Sequence, residues 1–297
     1  MIAPSTPSAL AELTGSLRDL TYSCENGIGT VTLSRAEAAN AYSSGMITSL
    51  ETVLRVVETD DSVRVLVLTG AGKTFSAGGD LKDMAAATGM FAGSPAELHK
   101  QYEQGLHRLA LAFDRLSKPI VAAINGHAIG GGLTLACLCD IRVCSADARL
   151  GSTFVKVGLV PADGCTYVLP RTIGFSRALE LMLTGRIIDA QEAHSIGLVD
   201  HVVPAGEVLA RANATAALIA EAPAVAVQLT KRACYSAARL GLAPSLELVA
   251  GYQAIAQRTD EHFQAVERLL ARPAGGGGRA PAHEALGAVA GRAGQAE

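Results

Sequence analysis

The chain contains no tryptophan, and aromatic residues make up only 4% of its 297 positions. Proteins that hold single-stranded nucleic acid stack bases on aromatic side chains, so no such platform is expected. Charge is sparse too. Only 18% of residues are charged, the net charge is −3 and the pI is near 6.2. No Lys/Arg-rich run occurs, which removes the usual footprint of a nucleic-acid binder. No apolar run reaches the roughly 18 residues of a membrane span. Residues 1–17 lack the basic start and unbroken apolar stretch of a secretion signal, so the expectation is a cytoplasmic protein.

The six cysteines (Cys24, Cys137, Cys139, Cys144, Cys165 and Cys234) have neither zinc-site nor disulfide-scaffold spacing. They are expected to be small buried thiols in a reducing compartment. Neither a dinucleotide fingerprint nor a P-loop is present, and no metal or redox cofactor is expected. Aliphatic, aromatic and Cys residues are plentiful, at 49%, enough to bury a substantial core.

Residues 20–33 alternate around Asn26-Gly27, which predicts a hairpin. Residues 46–57 repeat apolar side chains at helical spacing. The β-branched run 63–69 predicts a strand buried on both faces. A glycine-rich loop, 70–79, comes next, and Asp80 is placed to cap a helix from Leu81. Residues 85–95 have little periodicity and are expected to be mobile. A long amphipathic helix is predicted over 98–116 and strands over 120–124, 141–144 and 199–203. Helical patterns return at 175–184, 189–195 and throughout 206–270. Strands alternating with helices predict an α/β fold with a mostly parallel sheet. The expected divisions are a loose tail over 1–17, a core over 18–205, a helical subdomain over 206–271 and a Gly/Ala-rich tail over 272–297.

Two segments share one layout: an apolar strand, a glycine-rich turn, then a helix. They are VLVLTGAGKTFSAGGDLKDM at 65–84 and IVAAINGHAIGGGLTLACLCD at 120–140. Glycine lets a backbone approach a ligand closely, and a helix N-terminus offers unpaired amides. Two such amides facing one point make an oxyanion hole. Either loop alone reads more simply as close helix–strand packing or a helix cap; the two together, about fifty residues apart, are far more specific.

FSAGGDLKDM at 75–84, NGHAIGGGLTLACLCD at 125–140 and SRAEAANAYS at 34–43 resemble the crotonase family, the enoyl-CoA hydratases and isomerases. So do GLVPADGCTYVLPRTIG at 158–174 and LTGRIIDAQEAHSIGLVDHVV at 183–203. The resemblance runs from about residue 20 to residue 270. It implies a spiral of ββα turns and a C-terminal helical part that assembles trimers or pairs of trimers. It also implies an acyl-CoA substrate held by the amides of Ala77 and Gly131. Ala39, Ala41, Gly78, Gly79, Asp80, Leu81 and Lys82 would line the coenzyme path, with Lys82 near a phosphate.

Hydratases of this family carry two glutamates, at positions that match Thr134 and Phe154. Neither residue can act as a general base near neutral pH. Thr134 and Phe154 are therefore expected only to shape the acyl site. Asp163, in VPADGCT, is the nearest carboxylate, and some isomerases and dehalogenases of the family place an aspartate in this loop. An Asp in a P-A-D-G turn can also simply bond its own backbone. Glu103 and His107, four residues apart on the long helix, could reach the acyl pocket or form a solvated pair. Cys165 and Tyr167 flank Asp163, with Tyr167 a possible hydrogen-bond donor. The favoured expectation is double-bond isomerisation through an enolate, with Asp163 moving the proton. Hydration or hydrolysis by a rearranged acid/base set, and acyl-CoA binding without chemistry, remain open.

Overall fold

Asn26 and Gly27 both adopt left-handed angles, φ 51° and 78°, and join β1 (Leu20–Glu25) to β2 (Ile28–Leu33). Two successive positive φ values match the twist of a tight hairpin, and Asn-Gly tolerates them best. The computed structural model describes residues 15–271, so most of the expected N-terminal tail and all of the C-terminal tail lie outside the described residues.

Every residue of β3 (Val65–Gly70) and β5 (Ile120–Ile124) is buried, as their β-branched and small side chains require. They are central in a six-stranded sheet ordered β1-β2-β3-β5-β7-β10, with β7 at Ile141–Ser145 and β10 at His201–Val203. Only the β1–β2 pair is antiparallel. Each of β3, β5 and β7 is followed by a three-residue strand of a second sheet. These strands are β4 (Thr74–Ser76), β6 (His127–Ile129) and β8 (Arg149–Gly151). The two-residue β9 (Ile188–Asp189) completes that sheet, antiparallel to β8. With the helices attached to them, these strands form the predicted ββα spiral.

Helix α1 (Ser44–Thr59) starts where the Ser43 hydroxyl accepts from the Met46 amide. It buries Met46, Leu50, Val53 and Val57 in the main core. Helix α2 (Leu81–Ala86) starts at the predicted cap, where the Asp80 carboxylate accepts from the Lys82 amide at 2.9 Å. The helix predicted over 98–116 is interrupted. It consists of α3 (Pro95–Tyr102), a π-helical turn (Glu103–His107) and α4 (Arg108–Arg115). Within the stretch expected to be mobile, Gly89–Phe91 forms a 3₁₀ turn. Helix α5 (Gly131–Cys137) is wholly buried, and α6 (Cys165–Ile173), α7 (Phe175–Thr184) and α8 (Ala190–Ser195) come after it in the chain.

Helix α9 (Val208–Glu221) corrects the expected break at 206. Its Val208, Ala212 and Ala216 pack on Val65, Val67, Val121, Ala123 and Val143 of the large sheet. Each buried valine there contributes about 1.5–3 kcal/mol. The helix is therefore part of the core. By contrast, α10 (Ala224–Ala237), α11 (Leu242–Ala256) and α12 (Asp260–Leu270) have no buried residue.

The cysteine expectation also needs correction. Cys137, Cys139, Cys144 and Cys165 are buried free thiols, but Cys24 and Cys234 are exposed. No single helix among the described residues is long and apolar enough to cross a membrane.

Candidate active site

The two glycine loops meet where β4 leads into α2 and β6 leads into α5. They approach so closely that a Cβ on Gly78 would overlap the Gly131 amide nitrogen. A Cβ on Gly131 would lie 2.5 Å from the Tyr42 ring and 3.2 Å from Asp163 Oδ2. Only glycine fits at either place. Tyr42, just before α1, donates its hydroxyl to the Gly131 carbonyl at 2.8 Å and its amide to the Gly78 carbonyl at 2.6 Å, so it ties the two loops together.

Backbone hydrogen bonding corrects one expectation. The Ala77 amide donates to the Ala39 carbonyl at 2.9 Å, so it has no proton to spare for a ligand. Ala39 and Asn40 adopt left-handed φ angles of 50° and 53°, which turn that carbonyl toward β4. The Gly78 amide is used as well, donating to Ser76 Oγ at 3.1 Å. The amides of Gly79 and Gly131 have no partner among the described residues. The pair of free donors is thus Gly79 and Gly131, not Ala77 and Gly131.

Both free amides border two open spaces. The larger is a cleft of about 1450 Å³, open to solvent. Ala39, Ala41, Ala77, Asp80, Leu81 and Lys82 line it, together with Arg35 and Lys156. The smaller pocket is narrower and is walled by Tyr42, Met90, Phe91, Tyr102, Leu106 and Ala162. Gly79, Gly131, Met84, Phe154 and Leu159 border both, so the spaces join there. Phe154 thus stands at the junction. Gly78 and Thr134 do not. Both are buried and line neither space. Thr134 lies on α5 with its hydroxyl 3.5 Å from the Gly130 carbonyl.

Arg35 shapes the rim of the cleft. Its guanidinium donates to the carbonyls of Ala41 at 2.8 Å and Tyr42 at 3.3 Å, and it lies 3.6 Å from Asp80. These bonds hold the Ala39–Ala41 turn against the start of α2.

Asp163 lines the smaller pocket and is 4% exposed. Gly158, at φ 73°, ends a 3₁₀ turn and sends the chain back over the pocket toward it. Oδ1 accepts from the Cys165 amide at 3.3 Å, whereas Oδ2 is buried with no hydrogen-bond partner. Burial pushes the carboxyl above the ordinary aspartate range, and the Thr134 hydroxyl, the Cys165 amide and His107 pull weakly the other way. Burial and the neighbouring Asp163 also raise Tyr42 and Tyr102. The Cys165 thiol is pushed up to about 11 by burial and by Asp163, so it stays protonated near neutral pH.

The remaining candidates separate. Glu103 pairs with His99 at 3.3 Å on the exposed side of its helix and lines neither space. The Tyr167 hydroxyl accepts from Arg239 at 2.9 Å and its ring lies under Arg171, so it is committed on the surface. His107 reaches the Ala162 carbonyl at 2.9 Å. Sequence reasoning treated Gly79 only as part of the coenzyme path and missed Tyr42, Met84, Met90, Phe91, Tyr102 and Leu106. The apolar spacing of Tyr102 and Leu106 on the long helix was the signal that could have found them.

A buried carboxylate beside two unspent amides, where an apolar pocket meets a long cleft, suits proton transfer on an acyl group. The chain belongs to the enoyl-CoA hydratase/isomerase family, whose model matches residues 23–269. It is 36% identical over 248 residues to the 1,2-epoxyphenylacetyl-CoA isomerase of Escherichia coli K12, covering 84% of this chain and 94% of that protein. The crystal structure of an enoyl-CoA hydratase from Bacillus anthracis superposes with a TM-score of 0.80 at 31% identity, covering 85% of this chain and 96% of that one. That of Mycobacterium smegmatis gives 0.79 at 29% identity, with the same coverage.

Proposed function

We propose that this chain isomerises the double bond of an enoyl-CoA through a thioester enolate, with Asp163 as acid and base. The carrying observation is the buried, unpartnered Asp163 Oδ2 beside Gly131 at the pocket that the Gly79 and Gly131 amides border. In this reading the thioester oxygen lies between those two amides. The acyl chain enters the smaller pocket and the coenzyme lies along the larger cleft, with Lys82 and Lys156 near its phosphates.

The carboxylate takes a proton from C2 of a 3-enoyl thioester. The two electrons of that C–H bond move into the enolate, whose oxygen the amides stabilise. The protonated Asp163 then returns its proton at C4, leaving the 2-enoyl product. One carboxyl suffices for both transfers, and its raised pKa suits work near neutral pH. Hydration by two carboxylates gains no support, because Thr134 and Phe154 cannot supply them. Proton transfer needs no metal or redox cofactor, and turnover is expected to survive a chelator.

Assembly as a trimer or pair of trimers is part of the same proposal. Leu242, Leu246, Ile255, Phe263, Leu269 and Leu270 are exposed apolar residues on α11 and α12, which supports burial against another copy. Cytoplasmic placement is proposed too, and four buried free thiols suit a reducing compartment.

The test is turnover of a 3-enoyl-CoA and a 2-enoyl-CoA side by side. Conversion of the first to the conjugated isomer, without hydration of the second, supports the proposal. Hydration of the second contradicts it. Binding of both without turnover favours a carrier.

A further inference from the structure

The spacing of Glu103 and His107 would put both on one face of an ideal α-helix. The stretch Glu103–His107 is instead a π-helical turn, and the two side chains take different partners. Such a turn inserts an extra residue, which rotates the rest of the helix by about 100° about its axis, and π-turns cluster at functional sites. Glu103 is left in solvent with His99. Leu106 turns into the acyl pocket, and His107 turns toward the loop that carries Asp163.

The contact made there has a fixed sense. His107 Nε2 lies 2.9 Å from the Ala162 carbonyl. A carbonyl only accepts, so Nε2 carries the hydrogen and donates it. Ala162 and Asp163 share one planar peptide unit. Holding the carbonyl therefore also sets the direction of the Asp163 N–H and the place of its Cα. On the far side the Cys165 amide holds Oδ1. The Tyr102 ring, 6.1 Å from the His107 ring centroid, flanks the imidazole. Asp163 is thus fixed before and after its own position, and Oδ2 alone is left unbonded.

We propose that His107 is a positioning residue, whose Nε2–H grips the Ala162 carbonyl and so aims the free oxygen of Asp163 into the acyl pocket. This rests on the reading of Asp163 as the acid/base. His107 touches no substrate atom and exchanges no proton with it. The π-turn includes the residue that makes this contact.

The test uses the full chain and trans-3-hexenoyl-CoA, comparing His107→Leu, His107→Gln, Asp163→Asn and the double variant His107→Leu/Asp163→Asn. His107→Leu removes the donor and is expected to lower kcat by roughly tenfold or more, with KM changed less than about threefold, as for loss of alignment and not of binding. The glutamine amide can donate to the same carbonyl, so His107→Gln should recover kcat to within about threefold of wild type. With Asp163→Asn already present, His107→Leu should lower kcat by less than about twofold, because the two act as one unit. A His107→Leu variant at wild-type kcat, or one equally harmful in both backgrounds, overturns the positioning role. Wild-type kcat in Asp163→Asn, or no turnover by the wild type, overturns the underlying reading instead.

Discussion

An aspartate lies near each end of helix α5, Asp140 just past its C-terminus and Asp163 beside Gly131 at its N-terminus, and the two are held in opposite ways. At the C-terminal end Asp140 is saturated. Oδ2 accepts from the Ile120 amide at 2.7 Å and from Lys231 Nζ at 2.8 Å, while Oδ1 accepts from the Tyr235 hydroxyl at 2.8 Å. The Cys139 carbonyl beside it takes Arg142 Nη1 at 2.8 Å. At the N-terminal end the Gly131 amide and Asp163 Oδ2 have no partner among the described residues, although Asp163 is the more deeply buried of the two aspartates. Folding normally satisfies buried polar groups, since each unmet one costs about 1–3 kcal/mol. One end of α5 obeys that rule and locks α10 onto the sheet. The other departs from it at the meeting point of two cavities, where a ligand can supply the missing partners.

Removing each aspartate sharpens the contrast most. Asp163→Asn keeps the shape and removes the proposed base, so kcat on a 3-enoyl-CoA should fall by roughly 10²–10⁴-fold, read in steady-state kinetics. The free amide of Gly131 comes next. Proline is tolerated at the first position of a helix but has no N–H. Gly131→Pro should lower kcat by roughly 10²–10³-fold. Gly131→Ala keeps the amide and presents the same Cβ to Tyr42, so it serves as the control for crowding. The proline variant should be at least about tenfold slower than the alanine variant if the amide is used.

Stability should move in opposite directions at the two ends. Asp140→Asn leaves Lys231 without its anionic partner in a site where the lysine side chain is 9% exposed. It should cost about 3 kcal/mol, seen as a lower denaturation midpoint. Activity should change little. Asp163→Asn should stabilise. Burial raises the folded-state pKa of Asp163 above its unfolded value. The protonated form is therefore the one folding tolerates. The stability it allows is complete below the unfolded pKa and is lost as pH rises through the folded one. Asparagine does not titrate. The melting temperature of Asp163→Asn should thus exceed that of wild type by a margin that grows as pH rises above the unfolded aspartate pKa of about 4 and levels off beyond the raised folded one.

The smallest effect concerns Thr134. Its hydroxyl lowers the Asp163 pKa. Thr134→Val should reduce kcat by less than about tenfold and move the acid limb of the kcat/KM profile to higher pH. A loss as large as that of Asp163→Asn would make Thr134 part of the chemistry.

Much of this contrast was legible in the sequence because it rests on local chemistry. Asn26-Gly27, the Asp80 cap, the β-branched strands and the two glycine turns each announce a backbone conformation through the residues themselves. Asp163 emerged because the two expected carboxylate positions hold Thr134 and Phe154. The identity of the first free amide was not legible. Ala77 and Gly79 look alike in a glycine-rich loop. The difference lies in the Ala39 carbonyl, which arrives from a turn of two left-handed non-glycine residues that carries no strong sequence signal. The π-turn was hidden for a similar reason, since one inserted residue leaves the apolar spacing of the helix nearly intact. Helix α9 reads like the helices after it, and only its packing against Val67 and Val121 places it in the core.

The central claim is that the open end of α5 makes and protonates an enolate. Hydrogen exchange at C2 of a 3-enoyl-CoA in deuterated water reads that step directly, by mass spectrometry of the recovered thioester. The account predicts deuterium at C2 with the wild type, because an Asp163 that has exchanged its proton with solvent returns a deuteron to the enolate, and at least about a hundredfold slower incorporation with Asp163→Asn. Incorporation by Asp163→Asn at the wild-type rate would contradict it.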